Sequence, residues 1–194
     1  GGKVIAQVER IAACGSLNPK DVVVPGIMVD AIVIAENPTE NHMQTPGTYY
    51  SPYYSGELKS PRGMAKSNGV KSVLTLEDII ARRATFELFP GAVVNLGIGI
   101  PAAVGAAAAL EGIRDDLTFT IELGVIGGVP AGIPDFGVAL DPEAFISHPS
   151  MFDFYHGGGL DMTFLGAAQV DQHGNVNVSK FGPRISGSCW RTRM

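Results

Sequence analysis

Cysteine, tryptophan and charged residues are scarce in this chain of 194 residues. Its two cysteines, Cys14 and Cys189, are too few for a disulfide framework, which favours reduced thiols in a cytoplasmic protein. Charged residues make up 17% and hydrophobic residues 45% of the chain, a balance that excludes intrinsic disorder. A net charge of −5 argues against a nucleic-acid-binding protein, which would carry a basic stripe. The longest apolar runs, such as residues 102–110, are too short to span a membrane.

Methionine is missing from the first position, where Gly1-Gly2-Lys3 leads directly into a strand-like segment. Nothing there resembles a signal peptide. We therefore expect a fragment or a processed chain. The four histidines are scattered and show no spacing typical of metal ligands, so no metal site is predicted.

Glycine is abundant instead, with 25 residues, and favours an α/β protein with many tight turns between strands and helices. Thr75 and Asp78 predict the start of a helix that continues to residue 89. A strand at 92–96, a helix at 102–111 and a strand at 117–121 form a predicted βαβ unit, and hence a parallel sheet. Further predicted strands are 4–11, 21–35, and a pair at 160–170 and 175–181 joined by a turn at 171–174.

Residues 36–72 differ from the rest of the chain because four prolines interrupt a polar stretch without periodicity. We interpret this segment as a connector between two domains. It contains four of the five tyrosines, which either line a substrate site or hold the connector against its neighbours.

A glycine turn between the predicted strand and helix carries the first chemical signal. Gly97, Gly99 and Ala102 match a dinucleotide fingerprint, and Glu122 follows Ala102 by 20 residues, where a ribose-binding acid is expected. This spacing supports an NAD(P)-binding oxidoreductase. The alternative is a tight turn that needs glycine for packing alone.

Glu122 itself carries the second signal, since it ends an apolar strand and enters a loop nearly free of charge. Ligands of open α/β sheets bind at the carboxyl ends of strands, and a carboxylate there can act as a covalent nucleophile. Gly124, Gly127 and Gly128 would let a substrate come close. A glutamate bonded to a neighbouring helix N-terminus explains the position equally well.

Several ordered segments resemble the family I coenzyme A transferases, most closely the single-chain acetate and propionate enzymes. The resemblance covers about residues 1–187, and its most specific segments are 95–101 (NLGIGIP), 122–128 (ELGVIGG), 152–161 (FDFYHGGGLD), 165–171 and 174–184. It implies an open, mostly parallel α/β sheet with flanking helices, incomplete at both ends. The implied organisation is residues 1–35 from the end of a first domain, the connector 36–72, the front of a second domain at 73–187, and an aberrant tail at 188–194.

The resemblance also implies a reaction, in which coenzyme A passes from a short-chain acyl-CoA to a free carboxylate. Glu122 would be the nucleophile and would form a mixed anhydride and then a glutamyl-CoA thioester. No permanently bound cofactor is expected, and the parent protein is expected to be a homo-oligomer. The residues implied to line the coenzyme A side of the site are Gly97, Ile98, Gly99, Ile100 and Pro101.

Two departures from the family pattern stand out. Leu123 replaces a residue that is usually small and is expected to narrow the pocket beside the nucleophile. The tail at 188–194 contains the only tryptophan and two arginines and does not match the family at all.

Overall fold

The computed structural model describes residues 2–43, 45–61 and 74–185, in two compact units, Gly1–Tyr49 and Tyr50–Met194. The boundary between the units falls inside the predicted connector. The predicted tail at 188–194 and the part of the connector at 62–72 lie outside the described residues.

The first unit contains strands β1 (Ile5–Val8) and β2 (Ala31–Ile34) and a short helix α1 (Pro38–Asn41). The two strands are parallel, with Ile5 opposite Ala31. The long strand predicted at 21–35 is wrong in its first part, because Pro25 starts a 3₁₀ turn at Gly26–Met28 and pairing begins only at residue 31. Lys3 lies 2.8 Å from the Asp30 carboxylate and, with the Val4 N–H, lowers the pKa of Asp30.

The second unit contains three α-helices and eleven short strands in its described part. They are α2 (Leu76–Thr85), β3 (Val93–Leu96), α3 (Ile100–Glu111), β4 (Thr118–Ile121), β5 (Val125–Ile126), β6 (Val129–Pro130), β7 (Ala139–Leu140), β8 (Ala144–Phe145), α4 (His148–Phe154), β9 (Met162–Phe164), β10 (Gln169–Val170), β11 (Val176–Asn177), β12 (Lys180–Phe181) and β13 (Arg184–Ile185).

The main sheet has the order β8-β5-β4-β3-β9. Strands β4 and β9 pair in parallel with β3, while β5 and β8 add antiparallel strands beyond β4. The α/β class and the βαβ unit β3–α3–β4 are therefore confirmed. The sheet is mixed, because the chain turns back directly after Glu122 and pairs β5 antiparallel to β4.

Successive side chains of β3 and β4 point to opposite faces of the sheet, which gives the sheet an apolar and a polar face. Val94 and Leu96 of β3 and Phe119 of β4 are buried against Val104 and Ala108 of α3. Helix α2 packs against α3, and Ala81 of α2 joins the same cluster. Asn95 and Thr120 occupy the intervening strand positions and so face away from α3.

The end of the second unit consists of small hairpins. The turn predicted at 171–174 is confirmed: the Asp171 carboxylate accepts hydrogen bonds from Asn175 and His173, which lower its pKa. The predicted strands around it are too long, since only Met162–Phe164 belongs to the main sheet and residues 175–181 divide between β11 and β12. Among the described residues, no helix is long and apolar enough to cross a bilayer.

Helix α2 begins as the sequence predicts but ends earlier, at Thr85 instead of residue 89. The Thr75 hydroxyl accepts the Asp78 N–H, and the Asp78 carboxylate accepts the Thr75 N–H at 2.9 Å, forming a complete capping box.

We expect Thr75→Ala to lower the free energy of unfolding by about 1 kcal/mol, because one amide at the helix start loses its partner. The measurement is urea unfolding followed by circular dichroism. Thr39→Ala, an exposed substitution in α1, is the control and should change stability by less than about 0.5 kcal/mol. Equal effects of the two substitutions would show that the capping box does not stabilise the chain.

Candidate active site

Glu122 is the first residue after β4 and lies in a tight turn at the carboxyl edge of the sheet. The turn is closed by the Gly124 N–H, which donates to the Ile121 carbonyl at 2.9 Å. The residue is half-buried, between the buried Ile121 and the exposed Leu123. Its carboxylate can therefore reach a ligand at the edge where α/β sheets commonly bind one.

The three glycines after Glu122 all have positive φ, between 77° and 115°. A Cβ atom at Gly124 would overlap the Ile146 carbonyl, one at Gly127 the Glu143 side chain, and one at Gly128 the Leu140 carbonyl. At each glycine, other atoms of the protein thus occupy the space that a side chain would need. These contacts explain why glycine is needed for packing, and a role for Gly124, Gly127 and Gly128 in substrate approach stays a prediction.

The glycine turn before α3 contains two glycines with different environments. Gly97 continues the pairing with β9, since its N–H donates to the Phe164 carbonyl at 3.0 Å, and a Cβ there would press on Leu165 and Phe164. Gly99 has φ of 85° and no atom within 4 Å of a Cβ position. Helix α3 begins at Ile100, two residues earlier than expected, with Pro101 in its first turn. Ile98, Gly99 and Ile100 remain accessible for a ligand.

A cavity of about 480 Å³ opens beside Gly99, on the α3 side of the sheet. It also contains Tyr54 and the buried Asp135, and the pKa of Tyr54 is raised by burial and by the negative charge of Asp135. Of the tyrosines predicted either to line a site or to hold the connector, Tyr54 lines this cavity, whereas Tyr50 donates to Glu57 at 2.6 Å. The other residues that line the cavity are Ala102, Ala103, Ala106, Val129, Pro130, Ala131, Gly132, Ile133, Pro134 and Leu140.

A layer of polar side chains lies on the other face of the sheet, close to Glu122. Asn95 of β3 stands opposite both Thr120 of β4 and Thr163 of β9 in the strand register. Thr163 donates to Asn95 Oδ1 at 3.0 Å, and Asn95 Nδ2 donates to the Tyr155 hydroxyl at 3.1 Å and to the Thr120 carbonyl at 3.4 Å. Tyr155 in turn donates to Thr120 Oγ1 at 2.8 Å.

The environment of Tyr155 shows that this layer and Glu122 are neighbours. Burial raises the pKa of Tyr155, its hydrogen bonds to Thr120 and Asn95 lower it, and the negative charge of Glu122 raises it again. The overall result is a raised pKa, so the phenol is neutral at physiological pH.

The sequence did not point to Asn95, Thr120, Thr163 or Tyr155 as site residues. The available signal was weak, namely a polar Asn95 between Val94 and Leu96 in an otherwise apolar strand. Among the described residues, no three His, Cys, Asp or Glu side chains are grouped so that they could hold a metal ion.

Comparison with known proteins shows which protein family the chain resembles. A caffeate CoA-transferase from Acetobacterium woodii is 44% identical over 192 residues, which cover 96% of this chain and 36% of that protein. The acetate CoA-transferase YdiF of Escherichia coli K12 is 39% identical over 188 residues, covering 97% of this chain and 34% of that protein. The chain belongs to the family I coenzyme A transferases. It spans about a third of the length of the curated relatives it matches.

Solved structures agree with this family. The acyl-CoA transferase YdiF of Escherichia coli O157:H7 matches with a TM-score of 0.74 at 37% identity, over 96% of this chain and 33% of that one. The thioester complex of the same protein with CoA matches with the same TM-score. No family model matches the chain. These relatives are named as CoA-transferases, which favours the coenzyme A transferase interpretation over the NAD(P)-binding oxidoreductase.

We expect Gly124→Ala to be strongly destabilising in this coenzyme A transferase chain, because the added methyl group would overlap the Ile146 carbonyl in addition to the strain of a φ of 115°. The expected loss in the free energy of unfolding is about 3 kcal/mol or more. Gly174→Ala is the matched control, since Gly174 also has positive φ but open space around it, and should cost about 1 kcal/mol. Urea unfolding measures both. Equal losses would contradict the packing role of Gly124.

Proposed function

We propose that the complete protein transfers coenzyme A between a short-chain acyl-CoA and a free carboxylate, with Glu122 as the covalent nucleophile. The observation that carries the proposal is the position of Glu122 in a tight turn at the carboxyl edge of the sheet, close to a hydrogen-bonded polar layer in which Asn95 and Thr120 are buried. Support comes from the relatives, which are named caffeate and acetate CoA-transferases, and from the solved relative in a thioester complex with CoA.

The reaction proceeds in balanced steps at one carboxylate. A Glu122 oxygen attacks the thioester carbonyl of the acyl-CoA, the carbon–sulfur bond breaks, and a mixed anhydride and the CoA thiolate result. The thiolate then attacks the glutamyl carbonyl, releasing the first carboxylate and leaving Glu122 as a thioester of CoA. The acceptor carboxylate repeats both steps in reverse, which regenerates the free glutamate.

The surroundings of Glu122 suit these intermediates, because water would hydrolyse both the anhydride and the thioester. Val125, Gly127 and Gly128 are buried, and no charged residue occurs between Glu122 and Asp135. On the coenzyme A side, the accessible backbone of Ile98, Gly99 and Ile100 lies at the start of α3, where unpaired N–H groups favour an anionic or polar ligand group.

Partners and location are part of the same proposal. We expect acyl-CoA and a carboxylic acid as substrates, no resident cofactor, a homo-oligomer and a cytoplasmic location. Several relatives are named as subunits, such as the acetate CoA-transferase subunit beta of Haemophilus influenzae, so members of the family also occur as multi-subunit enzymes.

The proposal is tested with Glu122→Gln in the complete protein, measured as CoA transfer from acetyl-CoA to propionate. The amide keeps the shape of the side chain but cannot attack a thioester, so kcat should fall by about 10³-fold or more. Glu111→Gln is the control. Glu111 is half exposed at the end of α3, 3.9 Å from Arg82, and its loss should leave kcat unchanged. Turnover of Glu122→Gln at the wild-type rate would refute the covalent role.

A further inference from the structure

The hydrogen bonds around Tyr155 assign the position of each proton. The Val94 carbonyl can only accept, so the Thr120 hydroxyl donates to it, at 3.3 Å. Thr120 Oγ1 therefore accepts the proton of Tyr155 at 2.8 Å. Since Asn95 Nδ2 is purely a donor, the Tyr155 oxygen accepts from it at 3.1 Å. The chain of donors thus runs in one direction, from Asn95 through Tyr155 and Thr120 to the carbonyl of Val94.

This direction excludes one role for Tyr155 and leaves another. Its proton is held by Thr120, so it is not directed at Glu122 or at a substrate bound there. The phenol is neutral and partly buried, and its oxygen already has both a donor and an acceptor. Tyr155 therefore acts on the reaction through the residues that it holds.

We propose that Tyr155 is a positioning residue that fixes the direction of Glu122 by joining helix α4 to the end of β4. This inference rests on the proposed function of Glu122. Thr120, the partner of Tyr155, lies in the last two residues of β4 and precedes Glu122 by two residues, so its hydrogen bond restrains the strand end from which the nucleophile follows.

Tyr155 directly follows helix α4, which is anchored at two points. Its first turn is capped by the Ser147 hydroxyl, which accepts the Ser150 N–H, and its Met151 is completely buried. The Tyr155 ring lies 5.8 Å from the Phe152 ring in an edge-to-face contact and 6.0 Å from the Phe154 ring. These aromatic contacts do not involve the hydroxyl, so removing the hydroxyl should leave the ring in place.

Precise orientation matters here because Glu122 reacts twice in each half-reaction, first through an oxygen as nucleophile and then through its carbonyl carbon as electrophile. A displacement of about 1 Å from the reactive geometry can reduce a rate by about 100-fold. Loss of the restraint should therefore reduce the rate of the covalent steps and leave the binding of acyl-CoA largely unchanged.

The test is Tyr155→Phe in the complete protein, compared with Tyr50→Phe, which also removes a hydrogen-bonded hydroxyl but lies at an exposed site bonded to Glu57. We expect kcat of Tyr155→Phe to fall by about 10- to 100-fold, with KM for acyl-CoA within about twofold of the wild type. Formation of the glutamyl-CoA thioester in a single turnover should slow by the same factor. Tyr50→Phe should match the wild type. A Tyr155→Phe enzyme with wild-type kcat, or with a changed KM alone, would overturn the inference.

Thr120→Val removes the Tyr155–Thr120 hydrogen bond by changing the strand residue instead of the tyrosine. It tests the inference even if Tyr155→Phe does not fold. Both substitutions remove the Tyr155–Thr120 hydrogen bond, while each also removes one other bond, from Asn95 or to the Val94 carbonyl. If the shared bond carries the effect on the rate, the double variant should be no more than about twofold slower than the slower single variant. Effects that multiply would overturn the inference. An inactive Glu122→Gln enzyme beside a fully active Tyr155→Phe enzyme refutes the positioning role alone, whereas a fully active Glu122→Gln enzyme refutes the proposed function as well.

Discussion

The second unit depends on the register of its three parallel strands, which places Asn95, Thr120 and Thr163 side by side. Asn95 and Thr120 are buried, and buried polar groups are costly unless they are bonded. Here Asn95 is hydrogen-bonded to Thr163 and Tyr155, and Thr120 is hydrogen-bonded to Tyr155. A slip of one residue in β4 would turn Thr120 into the apolar core and Phe119 into the polar layer. The layer thus specifies the pairing of strands as well as the site above it.

One face of the sheet packs against the helices, and the other carries the polar residues near Glu122. The α3 face contains small and apolar side chains and holds the helices in place, and the cavity beside Gly99 lies there. The other face contains the polar layer and, at its edge, Glu122. The glycines at 124, 127 and 128 allow the chain to turn back sharply after the glutamate, because their positive φ values and close backbone neighbours leave no room for a side chain. The turn thereby presents Glu122 at the end of β4.

The local pattern of the sequence predicted the central βαβ unit, the capping box of α2 and the turn at 171–174, because each depends on residues close together in the chain. It overestimated the strands at 21–35 and 160–170, since β-branched residues indicate a preference for extended backbone but not a pairing partner. Glu122 was predicted as a site residue from its place after a strand and from the family resemblance. The Tyr155 network could not be predicted, because the bond between Asn95 and Thr163 joins residues 68 positions apart and depends on the strand register.

The most direct test of the account is to locate the covalent intermediate in the unmodified protein. Incubation with acetyl-CoA followed by hydroxylamine converts a glutamyl-CoA thioester into a stable hydroxamate and free CoA, and peptide mass spectrometry identifies the modified residue. The account predicts a hydroxamate at Glu122 that forms only when acyl-CoA is present. An unmodified Glu122 in an enzyme that transfers CoA under the same conditions would contradict it.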